Sequence, residues 1–269
     1  MPKHFRPKLG QHFLADRAYR QRILEELALE PEDCVVEIGA GTGAMTSLLA
    51  ERARKIIAVE LDDALAGRLA EEVRELPQVE ILRRDILSVD FRALRRRLRA
   101  GRFFVFGNIP YYITSPILHH LLDSSEQIRA MGLLMQEEVA ERLISAPGAR
   151  DYGYLTVRTQ WSARPRIALR VPPGAFSPPP QVRSALVMFQ VIRPPLVKSS
   201  EAARFEQFSK QCFAQKRKTL ANNLGAAYPR EKVEAALAAL SLSPTARAEE
   251  ISVQTLIKLF RHLRTRRER

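Results

Sequence analysis

Read as a pattern of apolar and polar positions, the chain becomes regular at Asp16. Helical spacing through Ile23, Leu24 and Leu27 runs on to Pro31, with Asp16 placed to cap the first turn. Short apolar runs then alternate with amphipathic segments. Strands are predicted at 34–39 (CVVEIG), 55–61 (KIIAVEL) and 79–82 (VEIL), with helices at 46–53 and 63–75 between them. A fourth strand at 103–107 (FFVFG) leads into a helix after Ser115, and a fifth at 131–136 (MGLLMQ) into a helix from Glu137. Alternation of this kind predicts an α/β fold, a mostly parallel Rossmann-like sheet covered by helices on both faces.

Beyond Gly153 the rhythm changes. YLTVRTQWSA reads as a helix, while 166–171 (RIALRV) and 184–191 (SALVMFQV) read as strands flanking the proline-rich GAFSPPPQV. Antiparallel strands closing the edge of a parallel sheet fit that arrangement. Pro194-Pro195 and the polar KSSE at 198–201 mark a linker, after which only helical periodicity is found, at 202–225, 230–240 and 251–264. Two domains are expected, residues 1–195 and a small all-helical domain at 196–269.

Composition narrows the class. With 269 residues, 46% of them hydrophobic, the chain has ample material for a packed core. Its two cysteines, Cys34 and Cys212, lie far apart in apolar stretches, so buried thiols in a reducing, cytoplasmic setting are expected rather than disulfides or metal ligands. No window approaches the roughly 20 apolar residues of a membrane span. The net charge of +13 points to a polyanionic partner, and residues 196–269 are the more basic part, with 15 Lys/Arg against 7 Asp/Glu. On composition alone, an anionic membrane surface would serve nearly as well as RNA.

The motifs decide between them. Glu37-Ile38-Gly39-Ala40-Gly41-Thr42-Gly43 ends the first strand, where glycines permit a tight turn and let a ligand approach the backbone. Glu60 ends the second strand, where a carboxylate can accept hydrogen bonds from both hydroxyls of a ribose; turn and carboxylate together suggest an adenosine-containing cofactor. Asp85 follows the third strand and suits either the exocyclic amine of an adenine or the cap of the next helix. Directly after the fourth strand stands Gly107-Asn108-Ile109-Pro110-Tyr111-Tyr112. The N6 amine of adenine is a poor nucleophile, because its lone pair is delocalised into the ring. An enzyme that methylates it must accept hydrogen bonds from the amine as the nitrogen pyramidalises. The Asn108 amide oxygen and the Pro110 carbonyl are suited to this, and Tyr111 offers a face on which the base can stack.

With these residues in this order, the chain resembles the KsgA/RsmA family of ribosomal RNA adenine dimethyltransferases, related to the Erm methyltransferases. The resemblance spans essentially the whole length. Gly10-Gln11-His12-Phe13-Leu14 matches the family's opening motif, with His12 where asparagine is usual, and Phe176-Ser177-Pro178-Pro179-Pro180-Gln181-Val182-Arg183-Ser184 matches a second, with Gln181 in place of the commoner lysine. The resemblance implies an S-adenosylmethionine-dependent methyltransferase fold, with S-adenosyl-L-methionine held by His12, Leu14, Gly39, Gly41, Glu60, Asp85 and Asn108. Asn108, Pro110 and Tyr111 would act on the target, and Phe176, on a stiff loop, would stack against a flipped adenine opposite the tyrosine. The implied reaction gives N6,N6-dimethyladenosine at two adjacent adenosines in a hairpin near the 3′ end of small-subunit (16S) rRNA, on a pre-small-subunit particle, by a monomer with a role in subunit biogenesis.

Three basic clusters, Arg95-Arg96-Arg97, Lys216-Arg217-Lys218 and Arg264 to Arg269, suit phosphate contact or a solvated helix face. The resemblance favours RNA for Lys216-Arg217-Lys218. His119 and His120 lack partners at metal-ligand spacing and read as structural, so no metal is expected. Erm-like methylation of large-subunit rRNA would use the same residues, and a mainly non-catalytic assembly factor would keep the fold. A DNA adenine methyltransferase or a nicotinamide enzyme fits less well, the first for want of a target-recognition region and the second because Asn-Ile-Pro-Tyr has no part in hydride transfer.

Overall fold

The computed structural model describes residues 12–264. In chain order its elements are β1 (Phe13–Leu14), α1 (Arg17–Leu27), β2 (Cys34–Ile38), α2 (Thr46–Ala50), β3 (Lys55–Glu60), α3 (Asp63–Glu72), β4 (Val79–Arg83), α4 (Phe91–Leu98), β5 (Phe103–Asn108), α5 (Thr114–Asp123) and β6 (Ile128–Gln136). There follow α6 (Glu137–Ile144), α7 (Tyr154–Gln160), β7 (Ala163–Val171), β8 (Phe176–Ser177), β9 (Ser184–Val191), α8 (Ser199–Cys212), α9 (Leu220–Leu224), α10 (Arg230–Ala239) and α11 (Val253–Leu263).

Two compact units result. One runs to Ala140 and resumes at Pro165–Val191; the other comprises Glu141–Arg164 and the residues from Ile192 onward. The first is built on a seven-stranded sheet in the order β4-β3-β2-β5-β6-β9-β7. Strands β4, β3, β2, β5 and β6 are parallel, and β9 runs antiparallel to β6. The predicted fold class is therefore what forms. Every residue of β2 is buried, as a sheet covered on both faces requires. Ile38 pairs with Val59 on one side and Gly107 on the other, which brings the ends of β2, β3 and β5 level. Strand order reverses on either side of β2, and ligands of such sheets sit outside the strand ends at that switch point.

Helix α1 starts where the sequence places it, because the Asp16 carboxylate accepts the N–H groups of Ala18 at 2.8 Å and Tyr19 at 3.2 Å. Its Ile23, Leu24 and Leu27 are buried in one core with Phe104, Phe106 and Leu134 of the sheet. A second, two-stranded pairing was not legible: β1 lies antiparallel to β8, with Leu14 opposite Phe176 and Phe13 opposite Ser177. Helix α4 also goes beyond the predicted elements. Phe91, Leu94 and Leu98 bury its inner face and leave the arginines of 95–97 outside.

The second unit is helical around an aromatic centre. Trp161 and Phe205 lie 4.6 Å apart between ring centroids, and Phe260 lies 5.3 Å from Phe205. Tyr152 and Val157 are buried in the same core, and the Tyr152 hydroxyl donates to the Ile251 carbonyl at 2.9 Å. That packing explains why residues 141–164 group with the later helices, whereas the sequence reading assigns them to the first 195 residues. The expected single helix at 202–225 is two. Thr219 caps α9 by accepting the Asn222 N–H at 3.3 Å, so the segment from Phe213 to Thr219 leaves the helix and carries Lys216-Arg217-Lys218 exposed on a turn. The expected KSSE linker is instead the start of α8.

Both cysteines are buried and free. His120 has a structural place, bonded to the Val89 carbonyl at 3.0 Å. Of the terminal basic cluster, Arg264 is paired with Glu201, so it is not an open phosphate contact. Arg266, Arg267 and Arg269, like Gly10 and Gln11, lie outside the described residues. Among the described residues, no helix is long and apolar enough to cross a membrane, and no cluster of His, Cys, Asp or Glu is arranged to hold a metal.

Candidate active site

The site is assembled at the level edge where β2, β3, β4 and β5 end. After β2 the backbone must double back toward α2, and Gly39 and Gly41 do so with φ of +69° and +60°, in the left-handed region that side-chain-bearing residues avoid. A Cβ on Gly41 would also stand 3.2 Å from the Phe13 ring, so β1 closes down on this turn. Glu60, at the end of β3 and 6% exposed, ties the turn to its neighbour strand. Its Oε2 accepts the Gly41 N–H at 2.8 Å, and its Oε1 accepts those of Leu61 and Asp62, both at 2.9 Å. Three backbone donors fix a carboxylate that still has acceptor capacity for hydroxyls.

Asp85 serves as the cap and also faces open space. Its Oδ1 caps the turn after β4 by accepting the Leu87 N–H at 2.9 Å, and the residue also lines a hollow of 140 Å³ with Glu60, Leu61, Ile86 and Tyr112. Leu61 and Tyr112 are 67% and 72% exposed, unusual for large apolar side chains, and give this hollow apolar walls between two carboxylates. No role was read for either from the sequence. An apolar residue exposed at a strand end is invisible until its burial is known.

Asn108 closes β5 with its amide orientation set. Nδ2 donates to the His12 carbonyl at 2.8 Å, which leaves Oδ1 as an acceptor with no hydrogen bond among the described residues. His12 is held in turn, with its Nδ1 bonded to the Pro178 carbonyl at 2.9 Å and its ring tilted over Tyr111 at 5.5 Å between centroids. The contact from His12 to Asn108 is made by backbone, so it does not depend on the side chain that departs from the family pattern. The Tyr111 hydroxyl is anchored on the Ser184 Oγ at 2.8 Å, and burial pushes the phenol above its ordinary pKa. Asn108, Pro110, Tyr111, His12, Gly39, Gly41 and Glu60 all line one crevice of 90 Å³.

Two expected placements are corrected. The Pro110 carbonyl is already taken, by the Ile113 N–H at 3.1 Å and the Thr114 hydroxyl at 3.2 Å, because the chain tightens into a 3₁₀ turn at 111–113. The preceding carbonyl, of Ile109, has no hydrogen bond among the described residues, and Ile109 lines the crevice. Phe176 is not on an open loop. It is 4% exposed in β8 and packs in the core with Leu14, its partner across the β1–β8 pair, because the Ala175 carbonyl accepts the N–H groups of Ala15 and Asp16 and draws the two segments together.

With this geometry in hand, the likeness to known proteins has a structural counterpart. The family model described as ribosomal RNA adenine dimethylase matches residues 3–265. Ribosomal RNA small subunit methyltransferase A of Acidobacterium capsulatum is 43% identical over 265 residues, covering 98% of this chain and 93% of that protein. The solved structure of the 23S rRNA methyltransferase ErmE is 30% identical, with a TM-score of 0.71 covering 93% of this chain and 99% of the other. A dimethyladenosine transferase from Plasmodium falciparum, 22% identical, shares the fold with a TM-score of 0.81 over 92% of this chain and 96% of its own. A match that runs from the segment before β1 to the end of α11 takes in every strand end that builds the crevice, and the chain belongs to the ribosomal RNA adenine dimethylase family.

Proposed function

We propose that this enzyme transfers methyl groups from S-adenosyl-L-methionine to the N6 amine of two adjacent adenosines in a hairpin near the 3′ end of 16S rRNA, giving N6,N6-dimethyladenosine. The observation that carries the reading is the Asn108 amide, whose nitrogen is committed to the His12 carbonyl, so that an oxygen acceptor is presented at the end of β5. The residues fit the cofactor. The glycine turn leaves room for backbone approach, Glu60 is held to receive ribose hydroxyls, and Asp85 with Leu61 and Tyr112 offers one polar group and apolar walls to an adenine. When bound, S-adenosylmethionine supplies an electrophilic methyl on a sulfonium that is itself the leaving group.

The residues then have to position and polarise. Asn108 Oδ1 accepts one amine hydrogen, and the unpartnered Ile109 carbonyl, rather than that of Pro110, accepts the second. The nitrogen lone pair is thereby freed from the ring as it attacks. Tyr111, anchored through Ser184, supplies the stacking face, and buried Phe176 supports β1 and the His12 segment behind it. No residue is needed as a covalent nucleophile.

The natural substrate in this reading is a pre-small-subunit particle, engaged through exposed Lys216-Arg217-Lys218 of the helical unit by a monomer in the cytoplasm, with a role in subunit biogenesis. Unpaired Cys34 and Cys212 fit that compartment. The test is transfer of labelled methyl to purified small subunits, large subunits and naked rRNA, followed by digestion to nucleosides. Dimethyladenosine confined to small-subunit RNA is expected. Label in large-subunit RNA would make the enzyme Erm-like, a reading to which the likeness to ErmE lends some support. Absence of label despite cofactor binding would leave only an assembly role.

A further inference from the structure

Helix α4 keeps its apolar and charged residues apart. Phe91, Leu94 and Leu98 are buried against the core, while Arg92, Arg95, Arg96 and Arg99 are all exposed. Lying three, four and seven positions beyond Arg92, the other three arginines share one outer face with it. Arg97 lies off that face and is paired with Glu80 of β4, so its charge is already met. Among the described residues, the four arginines of the face make no ion pair. Exposed helices elsewhere in the chain do pair their charges one turn apart, as Lys210 does with Glu206 in α8 and Arg230 with Glu234 in α10.

Such a face works against its own helix. Arg92 stands one turn from Arg95 and Arg96, and Arg99 one turn beyond them, so like charges repel along the whole stripe. The helix dipole accounts for arginines in the last turn but not for Arg92, which sits in the first turn beside the positive end. Arg99 occupies the C-cap at φ +50°, a left-handed conformation that favours glycine. Solvation alone calls for none of this, whereas an anion lying along the face offsets the repulsion. A helix that rests on a membrane presents apolar side chains beside its basic ones, and those of α4 are buried. Four guanidinium forks without a lysine suit phosphate oxygens, which they grip in pairs. Given the proposed function, on which this step rests, the polyanion is ribosomal RNA.

We propose that Arg92, Arg95, Arg96 and Arg99 form an RNA-docking surface on the unit that carries the sheet, gripping phosphates of ribosomal RNA outside the hairpin presented to the crevice. The course of α4 separates the two. It follows β4 away from the crevice edge and ends beside the starts of β2 and β3, where the Leu98 carbonyl accepts the Cys34 thiol at 3.8 Å and the Arg97 carbonyl accepts the Lys55 Nζ at 3.4 Å. Lys55 opens the strand that Glu60 closes, which puts the far end of α4 roughly 17 Å from the crevice at the rise of a strand. From Arg92 to Arg99 the face is about 10 Å long, room for about two or three successive phosphates of one strand.

The experiment measures binding of the full chain, over a series of salt concentrations, to two RNAs: the target hairpin as a short oligonucleotide and intact small-subunit rRNA. A variant carrying Arg92→Gln, Arg95→Gln, Arg96→Gln and Arg99→Gln keeps good helix formers on α4, and an unlowered urea midpoint shows that it folds. It should bind intact rRNA about 10- to 100-fold more weakly, with the slope of log affinity against log salt shallower by about 2 to 3, and should bind and methylate the hairpin as the unaltered chain does. The double variant Arg95→Gln and Arg96→Gln should lose about half as much of the slope. Equal losses on both RNAs would reduce the arginines to net charge, and no loss on either would make them a solvated face; each result overturns the docking surface. A loss confined to vesicles of anionic phospholipid would overturn it in favour of a membrane. Absence of methyl transfer by the unaltered chain, with the difference between the two RNAs intact, would overturn the proposed reaction and leave the docking surface standing.

Discussion

The polar groups at the ends of β3 and β5 and those behind the end of β2 differ in kind. Glu60 accepts three backbone N–H groups, Asn108 donates to a carbonyl, and Tyr111 is anchored on a serine. Behind β2, Glu37 and Arg20 have buried atoms with no hydrogen-bond partner among the described residues. The first region spends its bonds on geometry, so that acceptors and a ring are fixed before anything binds. The second leaves bonds unmade, which destabilises the chain on its own and stabilises whatever ligand supplies them. Substitution should therefore have opposite signs in the two regions, costing function or stability in the first and adding stability in the second.

The largest effect should come from the bonded region. Asn108→Ala removes the acceptor aimed at the reacting nitrogen, and by analogy with the loss of one preorganised group at a reacting centre, turnover should fall roughly 10²- to 10³-fold. Binding of S-adenosylhomocysteine should weaken far less, because Glu60, Asp85 and the glycine turn are untouched. Single-turnover methyl transfer beside calorimetry separates the two. A variant that methylates at the unaltered rate would remove Asn108 from the chemistry.

The opposite sign is expected at Glu37. Its folded-state pKa is raised, from 4.5 to about 8, so its contribution to stability is fully present below pH 4.5 and is lost as pH rises through 8. At pH 7 the loss is about 3 kcal/mol. Glu37→Gln does not titrate, so its advantage over the unaltered chain in urea midpoint should grow between pH 4.5 and 8. Arg20, which lines one cavity with Glu37, and Glu60, through its charge, are the ionisable groups that bear on it. A flat difference across this pH range would mean that Glu37 is ionised throughout and that the contrast between the two regions is false.

Legibility in the sequence follows the same division. Strand positions, the Asp16 cap and the motif residues at the ends of β2 to β5 could be read because each is a local pattern: an apolar run, a capping residue, a glycine turn. What could not be read depends on contacts distant in sequence. The β1–β8 pair joins Leu14 to Phe176, 162 positions away, and turns Phe176 from an expected stacking face into core. The inclusion of 141–164 in the helical unit rests on Trp161 meeting Phe205 of α8, and on Tyr152 meeting Phe213 and the Ile251 carbonyl. Pro110 was misassigned for a different reason. A proline after asparagine announces a turn without saying which carbonyl the turn consumes, and that of Ile109 is the one left over. Glu37 was visible within its motif, but inside an apolar strand nothing signals whether a carboxylate is bonded.

A smaller loss should follow from Glu60→Ala. The buried Gly41 N–H would lose its acceptor and the glycine turn its tie to β3, for about 2 kcal/mol of stability. Glu60→Gln keeps one oxygen and should lose less, so the order of urea midpoints should be unaltered chain, Gln, Ala. An alanine variant as stable as the unaltered chain would show that the three N–H bonds at Glu60 do not hold the turn.

The smallest effect tests whether anchoring a ring counts as much as aiming an acceptor. Ser184→Ala removes the partner of the Tyr111 hydroxyl and nothing else in the crevice, since Ser184 itself is 1% exposed at the start of β9 and lies apart from the glycine turn. The half-buried phenol would lose its bond and the restraint on its ring, worth about 1 kcal/mol. Tyr111 faces the target base in the proposed reaction, so the loss should appear as a roughly five-fold rise in the KM for RNA, with S-adenosylhomocysteine affinity unchanged. The same bond holds the phenol pKa down against burial, so its removal should raise the phenol titration further, readable by absorbance against a Tyr111→Phe reference. Tyr111→Phe keeps the stacking face without the hydroxyl and should match Ser184→Ala in KM. If Ser184→Ala changed cofactor affinity instead, the anchor would serve the glycine turn rather than the ring, and the bonded region would have to be treated as one network in which no single bond has its own function.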